Sequence, residues 1–235
     1  MTMARVHAVH QWMLPVAAIV FSTLAVLAAA DALPWDAPIT NWIVDARTPA
    51  LDTFFRKVSF LGSTPVVLVV AALGALAAHR RCPRLALAIV VIALARPLIE
   101  FGLKDLIGRE RPTADRLVAG RGPSFPSGHP LATAASWGLL PLVVALYTVR
   151  RWLWWSVAVG VWVLAVLVAV SRVYLGVHWA SDVIASLALA MLGVAGAERF
   201  IATAHDGHGC ASSAPPLPEE LPQPIGVKET TSARS

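Results

Sequence analysis

The chain has 235 residues, 57% of them hydrophobic and 14% charged, with a mean hydropathy of +0.67. Soluble domains carry about 25% charged residues, so this composition argues against a soluble globular protein and for lipid as the solvent. The net charge of +5 does not point to nucleic acid, because the basic residues sit in short clusters between apolar runs, as membrane loops do.

Crossing about 30 Å of hydrocarbon takes ~20 apolar residues as a helix. Six segments qualify in chain order: 13–33, 64–79, 85–107, 129–149, 153–172 and 178–201. The expected fold is therefore all-α, a polytopic membrane protein with six transmembrane helices in a bundle. Runs such as Trp162 to Val170 lack the alternation a membrane barrel needs. Helices also satisfy their own backbone hydrogen bonds in lipid. Around the first segment, Arg5, the apolar stretch and Ala30-Asp31-Ala32 resemble a cleavable signal peptide. The stretch is long for one, and cleavage would leave an odd number of spans, so an uncleaved anchor is expected. Residues 1–203 form the membrane domain. From 204 to 235, Pro215, Pro216, Pro218, Pro222 and Pro224 lie among Ser, Glu and Thr, the composition of a disordered tail. His205, Asp206, His208 and Cys210 lie in that tail, where a metal would lack supporting contacts, so no metal site is expected. Cys82 and Cys210 show no CxxC or ligand spacing and give no sign of a disulfide framework.

Orientation cannot be read from a raw charge count. One side carries Arg5, Arg80, Arg81, Arg84, Arg150, Arg151, Arg199, Lys228 and Arg234. The other carries Arg47, Arg56, Lys57, Lys104, Arg109, Arg111, Arg116, Arg121 and Arg172, which is nine against nine. Lys104, Arg111 and Arg172 belong to a candidate anion site, however, and the short Arg80/Arg81/Arg84 and Arg150/Arg151 loops then favour the cytoplasm. Both termini are expected inside and the site outside. Trp152, Trp154 and Trp155 suit the inner aromatic belt, Trp35 and Trp42 the outer one.

Three clusters on the outer side carry chemistry. In the first, Lys104 is followed after six residues by Arg111-Pro112. Seven residues are about two helical turns, so both cations are expected on one face, with Pro112 ending the helix. Lys supplies a point charge and Arg a planar fork for phosphate oxygens, although such a pair can equally anchor a helix to anionic headgroups. In the second cluster, Pro126-Ser127-Gly128-His129 opens an apolar run. Ser127 suits an N-cap, Gly128 allows close backbone approach, and a helix N-terminus suits phosphate. His129 there can give or take a proton near neutral pH, or can simply face water. The third is Ser171-Arg172, then His178 after five residues and Asp182 after three more. His178 and Asp182 at i and i+4 are expected on one helix face, where Asp182 can accept Nδ1–H and leave Nε2 free as a nucleophile. An Asp inside an apolar helix is costly and points to function, a structural His–Asp pair being the alternative.

Together the clusters resemble the three-part signature of the type 2 phosphatidic acid phosphatases, K-x6-R-P, P-S-G-H and S-R-x5-H-x3-D, with every fixed position matched. A four-residue match arises by chance at on the order of one in 10^5 placements. The resemblance covers roughly residues 13–201. It implies a six-helix, metal-independent hydrolase needing no cofactor, with its site facing outward and a lipid phosphate or diphosphate as substrate. It also implies that His178 is the nucleophile, forming a phosphohistidine, with Asp182 orienting it and His129 protonating the leaving oxygen. Lys104, Arg111, Arg172, Ser127 and Gly128 would then hold the phosphate. Pro130 and Ala180 are less usual beside these motifs and bear on pocket shape. Phosphatidate, phosphatidylglycerophosphate and polyprenyl diphosphate remain open as substrates. Two alternatives stand beside this reading: a non-catalytic headgroup-binding membrane protein, and a vanadate haloperoxidase-like enzyme, which the apolar spans oppose. Arg96 and Glu100, also at i and i+4, are expected to pair as structural support near Lys104.

Overall fold

The computed structural model describes residues 3–113 and 115–202, with side chains from residue 13 onward. The 204–235 tail and its His/Asp/Cys group lie outside the described residues. Those described are helical, with no strand among them: α1 (Met3–Ala29), α2 (Asp36–Asp45), α3 (Pro49–Leu61), α4 (Thr64–Ala78), α5 (Pro83–Ile107), α6 (Gly128–Trp137), α7 (Leu140–Ala145), α8 (Arg151–Tyr174) and α9 (Ala180–Ala202). Three of these, α5, α8 and α9, are long and apolar enough to cross a membrane. A fourth span results if α3 and α4, bent by 44° at their junction, act as one broken crossing.

Local sequence explains most boundaries. Thr48 caps α3 by accepting the Leu51 N–H at 3.3 Å, with Pro49 in the first turn, where its missing donor costs nothing. Pro83 opens α5 in the same way. The α5 terminus differs from expectation: it ends at Gly108, not at Pro112. Gly108 adopts φ +65°, and its N–H closes on the Lys104 carbonyl at 2.9 Å, a left-handed cap that glycine makes without a Cβ clash. Arg111 is therefore in the following loop and does not share a helix face with Lys104. The 129–149 segment is broken into α6 and α7 at Gly138 and Leu139. Residues 34–63, which hydropathy leaves unassigned, form α2 and α3.

α6 is the hub. Every residue of it except His129 is buried, and it packs against α4, α5, α8 and α9. Small side chains permit this: Ala134, Ala135, Ala165 and Ala190 form one tightly packed cluster with Leu131. Such small-residue contacts replace the hydrophobic drive that lipid cannot supply between helices. α1 lies along α9. The large apolar side chains point outward instead, among them Leu94, Leu98 and Phe101 of α5 and Val159 and Val163 of α8. Cys82, buried at the start of α5, is disulfide-bonded, a pairing that no local spacing announces.

Candidate active site

The site gathers at one end of the bundle, where the 108–128 connection, the start of α6 and the α8–α9 turn meet. His178 lies in that turn, two residues before α9 begins, so it does not share the helix with Asp182 as expected. The turn nonetheless brings His178 Nδ1 to 3.4 Å from Asp182 Oδ2. That separation is a polar contact without hydrogen-bond geometry, and Nδ1 has no hydrogen-bond partner. On the other side of the ring, Arg111 Nη1 lies 3.2 Å from Nε2. Guanidinium can only donate, so Nε2 is the acceptor and Nδ1 carries the proton, facing Asp182. Burial pushes the His178 imidazole down to about 4, Asp182 opposing that shift and Arg172 and Arg111 adding to it. His178 is therefore neutral at physiological pH, the form a nucleophile requires.

Arg111 is more committed than its motif suggests. Its five N–H groups reach the carbonyls of Gly122 (2.9 Å), Arg121 (2.9 Å), Pro123 (3.2 Å) and Val177 (2.6 Å), together with His178 Nε2. It thus ties the 121–123 loop to the turn that carries His178. Arg172, buried in the last turn of α8, donates from Nη1 to Ser59 Oγ at 2.6 Å, while its Nε has no partner. Ser127 stands at the N-cap of α6, but its side chain makes no capping bond and its buried Oγ is unpartnered. Its backbone N–H is bonded to Ser186 Oγ at 2.8 Å. His129 is half-buried and lies within electrostatic reach of Arg172, His178, Arg96 and Lys104. Unpartnered polar atoms on Ser127 and Arg172 beside a neutral histidine fit an anion whose oxygens would complete them.

Two groups complete this end of the molecule. Arg109, read from sequence as one loop charge among nine, is buried and donates to Asp182 Oδ1 (2.7 Å), Ser181 Oγ (2.7 Å) and Asp36 Oδ2 (2.7 Å). Asp36 in turn accepts the Ser181 N–H at 2.9 Å and its hydroxyl. Asp182 is held from a second side by the Trp179 N–H at 3.0 Å. The available signal was the pair of carboxylates, Asp36 and Asp182: buried charges need a counter-ion. The second group is Glu100. It pairs with Arg96 (2.6 Å) as expected, and also with Lys104 (2.8 Å). Its carboxylate lies directly on Gly128, where an added Cβ would collide with Oε1. The close approach that Gly128 permits is therefore made by a side chain of this protein.

A helical membrane scaffold carrying a buried histidine, a carboxylate and converging cations defines a phosphate-handling membrane protein. Residues 84–205 match the model of the PAP2 superfamily, and the chain belongs to that family. It is 32% identical over 166 residues to phosphatidylglycerophosphatase B of Bacillus subtilis, covering 67% of this chain and 78% of the relative. Over 62 residues, 26% of each protein, it is 45% identical to undecaprenyl-diphosphatase of Sulfolobus acidocaldarius. Its fold matches the crystal structure of the transmembrane PAP2-type phosphatidylglycerolphosphate phosphatase from Bacillus subtilis with TM-score 0.71 at 26% identity, over 81% of this chain and 98% of that one. Aquifex aeolicus LpxE has the same fold, with TM-score 0.56 at 21% identity over 70% of this chain and 95% of that one.

Proposed function

We propose that this PAP2 membrane protein dephosphorylates a lipid phosphate or diphosphate through a covalent phosphohistidine on His178. The observation that carries the reading is the placing of that imidazole, with Nε2 3.2 Å from Arg111 Nη1 and Nδ1 3.4 Å from Asp182 Oδ2. Nε2 attacks phosphorus, the bond to the leaving oxygen breaks, and His129, which takes up a proton as the anionic phosphate enters beside it, passes that proton to the leaving oxygen. Water then attacks the phosphohistidine, giving its proton to His129, and inorganic phosphate departs. Lys104, Arg111 and Arg172 supply the positive charge for the equatorial oxygens, with Ser127 Oγ and the Gly128 N–H completing the cradle. Arg111 exchanges carbonyl partners for phosphate oxygens as substrate enters.

We assign six crossings to the chain: α1, the α3–α4 pair, α5, the α6–α7 pair, α8 and α9. Both termini then lie in the cytoplasm of a plasma-membrane protein and the site faces outward. Supporting this orientation, six of the nine outer cations, Arg47, Lys104, Arg109, Arg111, Arg116 and Arg172, are bonded to the site or its loops. Residues held by the fold in this way are weak topology signals. The test is phosphate release from a panel of phosphatidate, phosphatidylglycerophosphate and polyprenyl diphosphate by purified protein in detergent and EDTA. Wild type should act on at least one and His178→Ala on none. Turnover by His178→Ala within tenfold of wild type refutes the assignment.

A further inference from the structure

Glu100 is a charged residue beside the site that the proposed chemistry does not use. Its carboxylate bridges Arg96 and Lys104 and rests on Gly128, the residue before His129. Arg96 and Lys104 both act electrostatically on His129, which places the trio on the side where the leaving group departs. A cavity of about 510 Å³ opens from the same place, lined by Arg96, Glu100 and Lys104, with Asp105 and Arg121 at its exposed edge and Phe101 among its apolar walls. Phe101 and Leu98 are 73% and 74% exposed on the outer face of α5, so this cavity lies beside the lipid-facing surface.

We infer that Glu100 is a specificity-determining residue, selecting lipid phosphate monoesters with neutral alcohol leaving groups over polyprenyl diphosphates; this rests on the lipid-phosphatase reading. A monoester places only the transferred phosphate among Arg111, Arg172 and Lys104 and leaves an uncharged alcohol in the cavity. A diphosphate attacked at its terminal phosphorus must place a second phosphate there. Arg96, the cation left to receive it, is already paired with Glu100, whose carboxylate repels the newcomer. Displacing Glu100 would break its pairs with Arg96 and Lys104, which is costly for a half-buried carboxylate. Gly128 belongs to the same device, because any larger residue would expel the carboxylate from this position.

The experiment measures kcat/KM of the purified full chain on phosphatidate and on a polyprenyl diphosphate, for wild type, Glu100→Gln and Glu100→Asp. Wild type should prefer the monoester. Glu100→Gln should raise the diphosphate-to-monoester ratio at least about tenfold, because one charge a few ångströms away is worth more than that at the effective dielectric of a protein site. Glu100→Asp, which keeps the charge, should retain the wild-type direction of preference. A wild type that prefers the diphosphate overturns the inference even if no variant folds. So does an active Glu100→Gln whose ratio stays within threefold of wild type. Inactivity of wild type on every lipid tested overturns the lipid-phosphatase reading, and this inference with it.

Discussion

Replacing Arg109 tests how Asp182, the partner of His178, is held. Arg109→Gln removes the only cation bonded to Asp182 and Asp36 among the described residues, whose side chains are 0% and 3% exposed. Asp36 keeps Ser181 and Asp182 keeps the Trp179 N–H, but both charges lose their counter-ion. Breaking a buried pair by removing one partner costs about 3–5 kcal/mol. At roughly 2–4 °C per kcal/mol for a chain of this size, the unfolding midpoint in detergent should fall by roughly 6–20 °C. The same change frees Asp182 from one of its two anchors. Misplacing a catalytic group by about 1 Å can cost about 10²-fold, so single-turnover phosphohistidine formation should slow by about that factor with KM little changed. Arg109→Lys should recover part of both losses, because it keeps the charge and loses the fork. An Arg109→Gln protein melting within about 2 °C of wild type and reacting at the wild-type rate would refute this account of the network.

Two further predictions concern the leaving group and orientation. An alkoxide leaves poorly without a proton, whereas a phosphate expelled from a diphosphate needs little help. General acid catalysis is worth ~10²–10⁴-fold, and His129→Ala should therefore lose far more single-turnover rate on phosphatidate than on a diphosphate. Equal losses would mean that His129 binds phosphate and is not the acid. A cysteine at exposed Ala119 should react with a membrane-impermeant thiol reagent in intact cells, while one at exposed Arg80 should show only the labelling of the parent protein. The reverse labelling pattern would place the active site in the cytoplasm.

The legible part of the site was its linear part. Lys104, His129, His178 and Asp182 stand in linear motifs, although neither the shared face of Lys104 and Arg111 nor the shared helix of His178 and Asp182 is found, and the apolar runs locate α5, α8 and α9 closely. The i, i+4 rule also anticipated the Arg96–Glu100 pair and the Glu100–Lys104 spacing. The cap at Gly108 was missed because a proline further on is a louder stop signal than a glycine taking a left-handed conformation. Arg109 was missed because its partners, Asp36 and Asp182, lie 73 positions away on either side, and a charge count assigns every cation to solvent. The helices α2 and α3 escaped because they are short, and hydropathy windows respond only to long apolar runs. That Glu100 would rest on Gly128 could not be read from either residue, since it depends on how closely α5 approaches the start of α6.

The central claim is the covalent role of His178. Rapid mixing of purified enzyme with a lipid substrate labelled at the transferred phosphate, followed by alkaline quench, preserves a phosphohistidine for peptide mapping. The account predicts label on the peptide carrying His178, formed and lost at rates consistent with turnover, and none in His178→Ala. Stoichiometric label on another residue, or turnover by wild type with none on His178 at any time point, would contradict it.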